Sequence, residues 1–299
     1  MKNVTVSVLV ATNNRPEMLK DALQSVFDQS FQDFEIIVVD DGQKISAESV
    51  VSEFVDERIR YIRHTEQKGC AGSRVTGIAA ARSNLVAFLD DDDIWEKDKL
   101  KIQVEKLVQT PQDVGFSFTA ATLCFNERVT VTEVPDGVAN YYERALSDFS
   151  GFLSVTLMFK KEVFETVGTP DPAFPSHTDI EFIIRVTQKF KGLGINKTLT
   201  KVNMEEGRER MSTNFSRRII GREMLLNKHK SEFEKRPKVL AEHLFKLAWF
   251  YRSDGRYKEA RRVYVQVLRL DFTLKKLLRY VSMIGNGFGY KLYVKIKHG

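Results

Sequence analysis

Two runs of apolar residues that end in aspartates constrain this chain more than any other feature. They are "FEIIVVDD" at residues 34–41 and "LVAFLDDDD" at residues 85–93. A strand without polar alternation is buried on both faces, which is typical of parallel sheets covered by helices. The pattern therefore predicts an α/β fold with a mainly parallel central sheet.

Helical patterns separate these strands. Residues 17–30, "EMLKDALQSVFDQS", repeat apolar side chains at helical spacing after a first strand at residues 4–12. A further strand, "RIRYIRH" at residues 58–64, is followed by a helical stretch, "GSRVTGIAAAR". Strands and helices in this alternation predict a Rossmann-like sheet with helices on both faces.

The pattern changes along the second half of the chain. Residues 114–135 alternate as antiparallel strands do, and "FLSVTLMFK" at residues 152–160 predicts one more strand before the helical "DIEFIIRVTQKF". After residue 203 charged helices dominate, with a helical hairpin at 242–270 that closes at Asp254 and Gly255. We therefore predict two domains, 1–205 and a basic α-helical region at 206–299.

Charge is distributed unevenly between these parts. Residues 1–200 carry 22 basic and 30 acidic side chains, whereas residues 201–299 carry 24 and 10. Apolar and basic residues at helical spacing in 273–299 favour an anionic membrane surface as partner, with packing on the preceding helices as the alternative. No nucleic-acid-binding motif is present, so we expect no nucleic acid partner.

The cysteines and the apolar runs indicate the compartment of the protein. Cys70 and Cys124 are far apart and lack metal-ligand spacing, which indicates a reducing compartment. No run of about 20 apolar residues is present, as a membrane-spanning helix would require. We expect a cytoplasmic protein, or one attached peripherally to the inner face of the membrane.

Polar residues follow three strands of the predicted sheet. They are residues 12–15, "TNNR", residues 40–42, "DDG", and residues 90–93, "DDDD". The carboxyl ends of parallel strands meet at one edge, where ligands bind. Converging carboxylates repel each other unless they share a cation, and Mg²⁺ or Mn²⁺ takes carboxylates together with phosphates. The sequence thus predicts a divalent cation that holds a diphosphate.

Simpler interpretations exist for each cluster. Four aspartates can form a solvated turn, and Asp93 can cap the following helix. "VVDDG" also suits the acidic pocket of a receiver domain, but such a domain is much shorter and has no second acidic cluster after the fourth strand.

The segments at residues 6–42 and 69–100 resemble family 2 glycosyltransferases of GT-A fold. The similarity runs without a large gap over residues 4–107 and more weakly to about residue 185. These enzymes invert the anomeric centre and use nucleotide-sugar donors. The resemblance implies a UDP-sugar donor bound by residues 1–110, and a glycan, glycolipid or lipid-linked acceptor bound by residues 111–205.

The resemblance also assigns roles to single residues. It assigns the nucleotide-contacting loop to Thr12, Asn14 and Arg15, and the nucleobase contact to Asp41 with Asp40 beside it. Arg74, in "AGSR", is assigned to the nucleotide. Aligned on the following "IW", Asp92 is the metal ligand and Asp91 the ribose or phosphate contact. Asp90 belongs to the same DXD-like motif and is assigned to the nucleotide-sugar site. Asp90 or Asp93 can instead lie outside the direct contacts, and a register shifted by one residue is the alternative.

The general base is implied by a second element, "HTDIEFIIRV". Asp179 aligns with the family's base, which takes the proton of the acceptor hydroxyl. Glu181 and Arg185 follow at the family's spacing. The alternative is that Asp179 only interacts with the helix dipole. The histidine that many relatives carry after the base is absent, and Arg208 and Arg210 are candidate diphosphate contacts or solvated residues.

Two other classes of function are alternatives to a glycosyltransferase. A nucleotidyltransferase usually has a glycine-rich loop after the first strand, which "ATNNRPEML" lacks. A degenerate transferase fold that serves as a scaffold is disfavoured because the aspartate run and Asp179 are both present.

Overall fold

The computed structural model describes residues 4–126, 128–147, 151–204, 214–274, 276–278 and 280. The chain divides into two compact units. Unit 1 comprises residues 1–173 and 178–208, and unit 2 comprises residues 174–177 and 209–299. The predicted boundary at residue 205 stays a prediction, because residues 205–213 lie outside the described part of the chain.

A mainly parallel sheet forms the centre of unit 1. Over the described residues it has ten strands: β1 (Val6–Thr12), β2 (Phe34–Asp40), β3 (Ile59–Arg63), β4 (Leu85–Asp90), β5 (Ile94–Trp95), β6 (Val114–Phe125), β7 (Arg128–Val131), β8 (Gly137–Ala139), β9 (Met158–Lys160) and β10 (Lys191–Asn203). The order is β3-β2-β1-β4-β9-β6-β10-β5, with β7 on β6 and β8 on β10. The first four strands are parallel, as are β6 and β10, whereas β9 is antiparallel to β4 and β6.

Helices connect the strands. They are α1 (Pro16–Phe27), α2 (Glu48–Ser52), α3 (Gly69–Ala80), α4 (Lys99–Leu107), α5 (Tyr142–Ser147), α6 (Lys161–Val167) and α7 (Thr178–Lys189). In α1, Pro16 occupies the first turn, where its missing N–H costs nothing. Leu19, Ala22, Leu23 and Val26 then form one buried face, as helical spacing requires.

The buried runs form the core that their sequence predicts. All seven residues of β2 are buried, as are the first five of β4. Each fully buried valine or isoleucine contributes roughly 1.5–3 kcal/mol relative to exposure. The predicted α/β fold is confirmed.

The strand predicted over residues 152–160 is mostly wrong. Ser154–Thr156 form a 3-10 turn, and only Met158–Lys160 pair as β9. Buried side chains bind the carbonyl groups of this turn: Trp95 Nε1 donates to Val155 O at 3.1 Å, and Gln103 Nε2 donates to Thr156 O at 3.1 Å. These hydrogen bonds from side chains replace the backbone hydrogen bonds between strands that the apolar pattern predicts.

A fully buried lysine supports the same turn. Lys99 is 0% exposed, and its Nζ donates to Gln103 Oε1 at 2.7 Å and to Thr156 O at 3.3 Å. The ammonium also lies 5.1 Å from the centroid of the Trp95 ring. Burial lowers the pKa of Lys99 to about 7, because a low-dielectric environment disfavours its charged form.

Unit 2 is helical. Its helices are α8 (Phe215–Lys228), α9 (Lys230–Glu234), α10 (Pro237–Ser253) and α11 (Tyr257–Leu270). The predicted hairpin is confirmed: α10 and α11 are joined at Asp254 and Gly255, and Gly255 has a φ of +79° that favours glycine. Ala248 and Tyr264 are fully buried at 0% exposure. None of the helices in the described residues is long and apolar enough to span a membrane.

The start of the basic C-terminal segment follows α11. Leu274 and Leu278 are 68% and 48% exposed, and Phe272 is 65% exposed. Lys276 forms ion pairs with Glu242 at 3.0 Å and with Asp271. The charge of this lysine is therefore paired with carboxylates of the protein. Residues 281–299, which complete the predicted membrane-binding segment, lie outside the described residues.

Candidate functional site

The four aspartates at the end of β4 alternate between solvent and interior. The side chains of Asp90 and Asp92 are 31% and 15% exposed, whereas Asp91 and Asp93 are buried at 0% and 4%. Solvent therefore reaches the side chains of two of the four aspartates to a larger extent than those of the other two. The sequence could not reveal this division, since all four residues are chemically identical.

The two buried aspartates accept hydrogen bonds from other residues of the protein. Asp91 Oδ2 accepts a hydrogen bond from Thr12 Oγ1 at 2.7 Å, which ties β4 to the end of β1. Asp93 Oδ1 accepts from the Asn203 N–H at 3.0 Å, which ties it to β10. The suggestion that Asp93 caps the next helix is wrong, because α4 begins at Lys99. The predicted ribose or phosphate contact of Asp91 stays a prediction, and its burial weighs against it.

Arg15 bridges two members of the run. Its Nη2 lies 2.5 Å from Asp91 Oδ1, and its Nη1 lies 3.1 Å from Asp92 Oδ2. Burial raises the pKa of Asp91 to about 6, although Arg15 and Thr12 act in the opposite direction. Burial lowers the pKa of Arg15, but Asp91 and Asp92 raise it above its ordinary value, so the guanidinium stays charged.

Asp40 organises the loop after β2. It is fully buried, and it accepts hydrogen bonds from the Gly42 N–H at 2.8 Å, the Ala47 N–H at 2.9 Å and the Tyr61 hydroxyl at 2.6 Å. Gly42 has no room for a side chain, because a Cβ there would lie 2.8 Å from the Asn14 backbone nitrogen. Asp40 thus shapes the loop, and its nucleobase contact stays a prediction.

Asp41 joins this loop to the start of α3. Its carboxylate accepts from the Lys68 N–H at 2.7 Å and from the Gly69 N–H at 2.8 Å, and it lies 2.8 Å from His64 Nδ1. Asn14, in the turn after β1, has a φ of +57° and accepts from the N–H groups of residues 44 and 45 in the same loop at 2.9 Å each. These residues shape the walls of one edge, as the strand-end clusters predict.

Arg74 connects the aspartate run to α7. Its Nη2 donates to Asp90 Oδ1 at 2.9 Å and to Ser154 Oγ at 2.8 Å, and the residue is 8% exposed. Burial alone would lower the pKa of Arg74, but Cys70, Asp90 and Asp179 raise it above its ordinary value. Nothing in the sequence indicated Ser154, which lies in the 3-10 turn that was predicted as a strand.

Asp179 lies in the first turn of α7. Protein atoms surround it closely enough that burial raises its pKa, while Arg74 and the Ile180 N–H lower it. The Ile180 N–H donates to Asp179 Oδ1 at 2.9 Å. Asp179 keeps a partly exposed surface. One guanidinium therefore interacts with a carboxylate from β4 and with a carboxylate from α7.

Glu181 has a structural environment. It is 0% exposed and forms a two-point ion pair with Arg185, at 2.7 Å to Nε and 2.9 Å to Nη2. Arg185 also donates to Thr169 O at 2.9 Å, which anchors α7 to the loop after α6. Arg208 and Arg210, the candidate diphosphate contacts, lie outside the described residues.

The residue set fits a metal that is shared with a ligand. Within the described parts of the chain, no group of three or more histidine, cysteine, aspartate or glutamate side chains could hold a metal ion. Asp90 and Asp92 are nevertheless partly exposed at one edge. Mg²⁺ is typically held by one or two carboxylates together with substrate phosphates. Asp92 with a bound diphosphate meets that description, whereas a cage built from protein alone does not.

Comparison with known proteins identifies the family. The sequence family described as Glycosyl transferase family 2 matches residues 7–168, which is more than half of the chain. The chain belongs to glycosyl transferase family 2. The family match includes the aspartate run and the residues of the first two strand ends, and it ends before Asp179.

Relatives with curated names include two bacterial glycosyltransferases. TuaG of Bacillus subtilis (strain 168), assigned to teichuronic acid biosynthesis, is 29% identical over 206 residues, which cover 67% of this chain and 79% of TuaG. WfgD of Escherichia coli is 32% identical over 109 residues, which cover 36% of this chain and 43% of WfgD. WfgD is named a UDP-Glc:alpha-D-GlcNAc-diphosphoundecaprenol beta-1,3-glucosyltransferase.

Solved structures establish the fold of this family 2 member. TarS 1–349 of S. aureus in complex with UDP-GlcNAc has a TM-score of 0.65 at 18% identity, over 96% of this chain and 89% of TarS 1–349. The mannosyltransferase PcManGT of Pyrobaculum calidifontis, in complex with GDP-Man and Mn²⁺, has a TM-score of 0.59 at 17% identity, over 99% of this chain and 84% of PcManGT. The predicted GT-A fold is confirmed.

Proposed function

We propose that this family 2 glycosyltransferase transfers a sugar from a nucleotide-diphosphate sugar to a hydroxyl of a glycan, glycolipid or lipid-linked acceptor, with inversion. One observation carries the proposal. Arg74 donates to Asp90 at 2.9 Å and interacts electrostatically with Asp179, so the donor-side aspartates and the base belong to one charged cluster. Inverting transfer requires a base and a diphosphate site within reach of one anomeric carbon.

Asp179 is the proposed base. It would accept the proton of the acceptor hydroxyl as the oxygen attacks the anomeric carbon from the face opposite the diphosphate. Burial raises its pKa, which strengthens it as a base, and Arg74 opposes that shift and favours its ionised form. Glu181 is a poor alternative, because its carboxylate is buried against Arg185.

The donor side is built from the edge residues. Thr12, Asn14, Arg15, Asp40 and Asp41 shape the proposed nucleotide pocket. Mg²⁺ or Mn²⁺ bound at Asp92 would neutralise charge on the leaving diphosphate, so no acid is needed there. Asp90 is the second open carboxylate and is the better candidate than Asp91 for a direct donor contact, because it is 31% exposed.

The named relatives support the substrate class. TarS was solved in complex with UDP-GlcNAc, and PcManGT in complex with GDP-Man and Mn²⁺. WfgD is named for a UDP-Glc donor and a diphosphoundecaprenol acceptor. We expect a UDP-sugar donor and a lipid-linked or polymeric acceptor for this chain.

A lipid-linked acceptor would place the enzyme at a membrane surface. Leu274 and Leu278, within the basic segment 273–299, and Phe272, directly before it, expose large apolar side chains. Apolar and basic residues in one segment suit the interface of an anionic bilayer. We propose a cytoplasmic enzyme that binds peripherally to the inner face of the membrane through this segment.

A donor screen tests the proposal. Binding and slow hydrolysis of UDP- and GDP-sugars are measured with Mn²⁺, with Mg²⁺ and with chelator, and the anomeric configuration of any transferred sugar is read by NMR. We expect one donor class to bind only with metal and the product to be inverted. A retained configuration would exclude Asp179 as an inverting base. Failure to bind any donor would favour the scaffold alternative.

A further inference from the structure

Arg15 is held against Asp92, the proposed metal ligand. Its Nη1 lies 3.1 Å from Asp92 Oδ2, and its Nη2 and Nε lie 2.5 Å and 3.2 Å from the two oxygens of Asp91. The preceding turn is fixed by Asn14, and the following Pro16 begins α1. The guanidinium therefore reaches the aspartate run from a rigid turn.

The arginines divide the carboxylates between them. Arg74 pairs with Asp90, and Arg15 pairs with Asp91 and Asp92. In this arrangement the two guanidinium groups offset much of the repulsion among three neighbouring carboxylates, as a divalent cation would. Arg15 supplies positive charge beside Asp92, as the metal would in the proposed donor complex.

The two cations compete for one carboxylate. A guanidinium 3.1 Å from Asp92 Oδ2 and a divalent ion bound to the same carboxylate repel each other at short range. A guanidinium also pairs with phosphate oxygens in two-point geometry. A donor diphosphate bound at this edge can therefore replace Asp92 as the partner of Arg15. Asp92 is then available to bind the metal.

Arg15 is the arginine that can exchange. Its side chain is 37% exposed, whereas that of Arg74 is 9% exposed and also donates to Ser154. Asp91, the inner partner, is fixed by Thr12. Movement of the Arg15 side chain therefore breaks its contact with Asp92 Oδ2 and its pair with buried Asp91, which keeps its hydrogen bond from Thr12.

We propose that Arg15 is an exchangeable counter-ion, which occupies Asp92 until a donor diphosphate draws its guanidinium away and a divalent metal takes its place. The inference rests on the proposed function. It predicts that metal and nucleotide bind with positive coupling, because each ligand favours the Arg15 position that the other requires. Without nucleotide, metal binding is weakened by the arginine.

The inference is tested by measuring the affinity of the full chain for Mn²⁺. EPR follows the binding of Mn²⁺ without nucleotide and with UDP or GDP. The wild type should bind Mn²⁺ weakly alone and more tightly with nucleotide. In Arg15→Met the affinity for Mn²⁺ alone should rise by roughly tenfold, within the 5- to 150-fold range typical of coupled sites, and the nucleotide effect should shrink. Arg15→Lys keeps the charge and should stay closer to wild type.

Lys20→Met is the matched control. Lys20 is a surface cation on α1 that pairs with Glu53 with both side chains about half exposed, and its removal should leave Mn²⁺ affinity unchanged. Thermal unfolding checks that each variant is folded. Should Arg15→Met be unfolded, Arg15→Gln serves in its place.

The outcomes separate the inference from the proposed function. Unchanged Mn²⁺ affinity in Arg15→Met, with nucleotide-dependent Mn²⁺ binding intact, would overturn the counter-ion role and leave the metal site standing. Equal rises in Arg15→Met and Lys20→Met would show a general charge effect and also overturn it. If the wild type binds no Mn²⁺ even with UDP or GDP, the metal part of the proposed function fails.

Discussion

The guanidinium of Arg74, in α3, lies 2.9 Å from the carboxylate of Asp90, the last residue of β4. The same Arg74 nitrogen donates to Ser154, and Asp179 contributes to the raised pKa of Arg74. Residues that are far apart in the sequence thus share one positive charge. Loss of that charge should affect the proposed base as well as the donor side.

Arg74→Met should shift the pH dependence of transfer. Arg74 lowers the pKa of Asp179, so its loss raises that pKa, and the base then ionises only at higher pH. We expect the acidic limb of kcat/KM to move to higher pH, together with a lower maximum. Arg74→Lys keeps the positive charge and should keep the limb near its wild-type position. A limb that is unchanged in Arg74→Met would show that Asp179 is not the titrating base.

Asp179→Asn separates chemistry from binding. The amide has the shape of the carboxylate but accepts no proton, so transfer should fall by roughly 10²–10⁴ while donor affinity is retained. Glu181→Gln is the control, because it breaks a buried pair with Arg185. We expect that control to lose roughly 3–5 kcal/mol of unfolding free energy and to keep kcat in the folded fraction. Activity of Asp179→Asn within a few-fold of wild type would refute its role as base.

Asp92→Asn and Asp93→Asn should differ in kind, although the residues are adjacent. Asp92 is partly exposed, so Asp92→Asn should abolish metal-dependent donor binding and leave thermal stability near wild type. Asp93 is buried and accepts from the Asn203 N–H. Asp93→Asn should cost roughly 0.5–1.5 kcal/mol of stability and keep donor binding. The reverse pattern, seen by calorimetry and thermal melts, would mean that the register is shifted by one residue.

The sequence predicts the strands of the sheet better than it predicts which polar residues at the strand ends face a ligand. The runs in β2 and β4 consist almost entirely of apolar residues, which indicates burial on both faces. The positions of these strands can therefore be predicted from the sequence. Which of four identical aspartates face a ligand depends on the turn after β4, and that turn depends on Thr12 and Asn203, which are remote in sequence. Local patterns contain no information about those two bonds.

Residues 152–157 and Lys99 show the same limit. An apolar run with β-branched residues predicts a strand, but buried side chains of Trp95 and Gln103 bind its carbonyl groups and bend it into a turn. A lysine in a charged stretch predicts a solvated side chain, yet Lys99 is fully buried. In both cases tertiary contacts decide the outcome.

The buried ammonium of Lys99 should make stability depend on pH. Its pKa is about 7 in the folded protein against an ordinary value of 10.5, so the unfolded chain binds more protons between these values. The free energy of unfolding should therefore rise with pH above about 7, by at most about 1.4 kcal/mol per pH unit from this group. Lys99→Met should remove that slope in urea melts at pH 6.5 to 8.5, while Lys97→Met, an exposed neighbour, should keep it. Equal slopes in wild type and Lys99→Met would contradict the assignment.

The basic C-terminal segment should bind anionic membranes. Phe272, Leu274 and Leu278 are exposed, and each basic residue near an anionic surface contributes about 1 kcal/mol. Because Lys276 is paired with Glu242 and Asp271, attachment should depend on the other cations of residues 273–299 and on the apolar side chains. We expect co-sedimentation with vesicles that contain anionic lipid, weaker binding at higher salt, and loss of binding when residues 273–299 are deleted. Phe272→Ser with Leu274→Ser should weaken binding, whereas Val129→Ser with Val131→Ser, at 63% and 59% exposure on β7, should not. Full-length protein that ignores anionic vesicles at low salt would remove the membrane assignment and leave the transferase assignment in place.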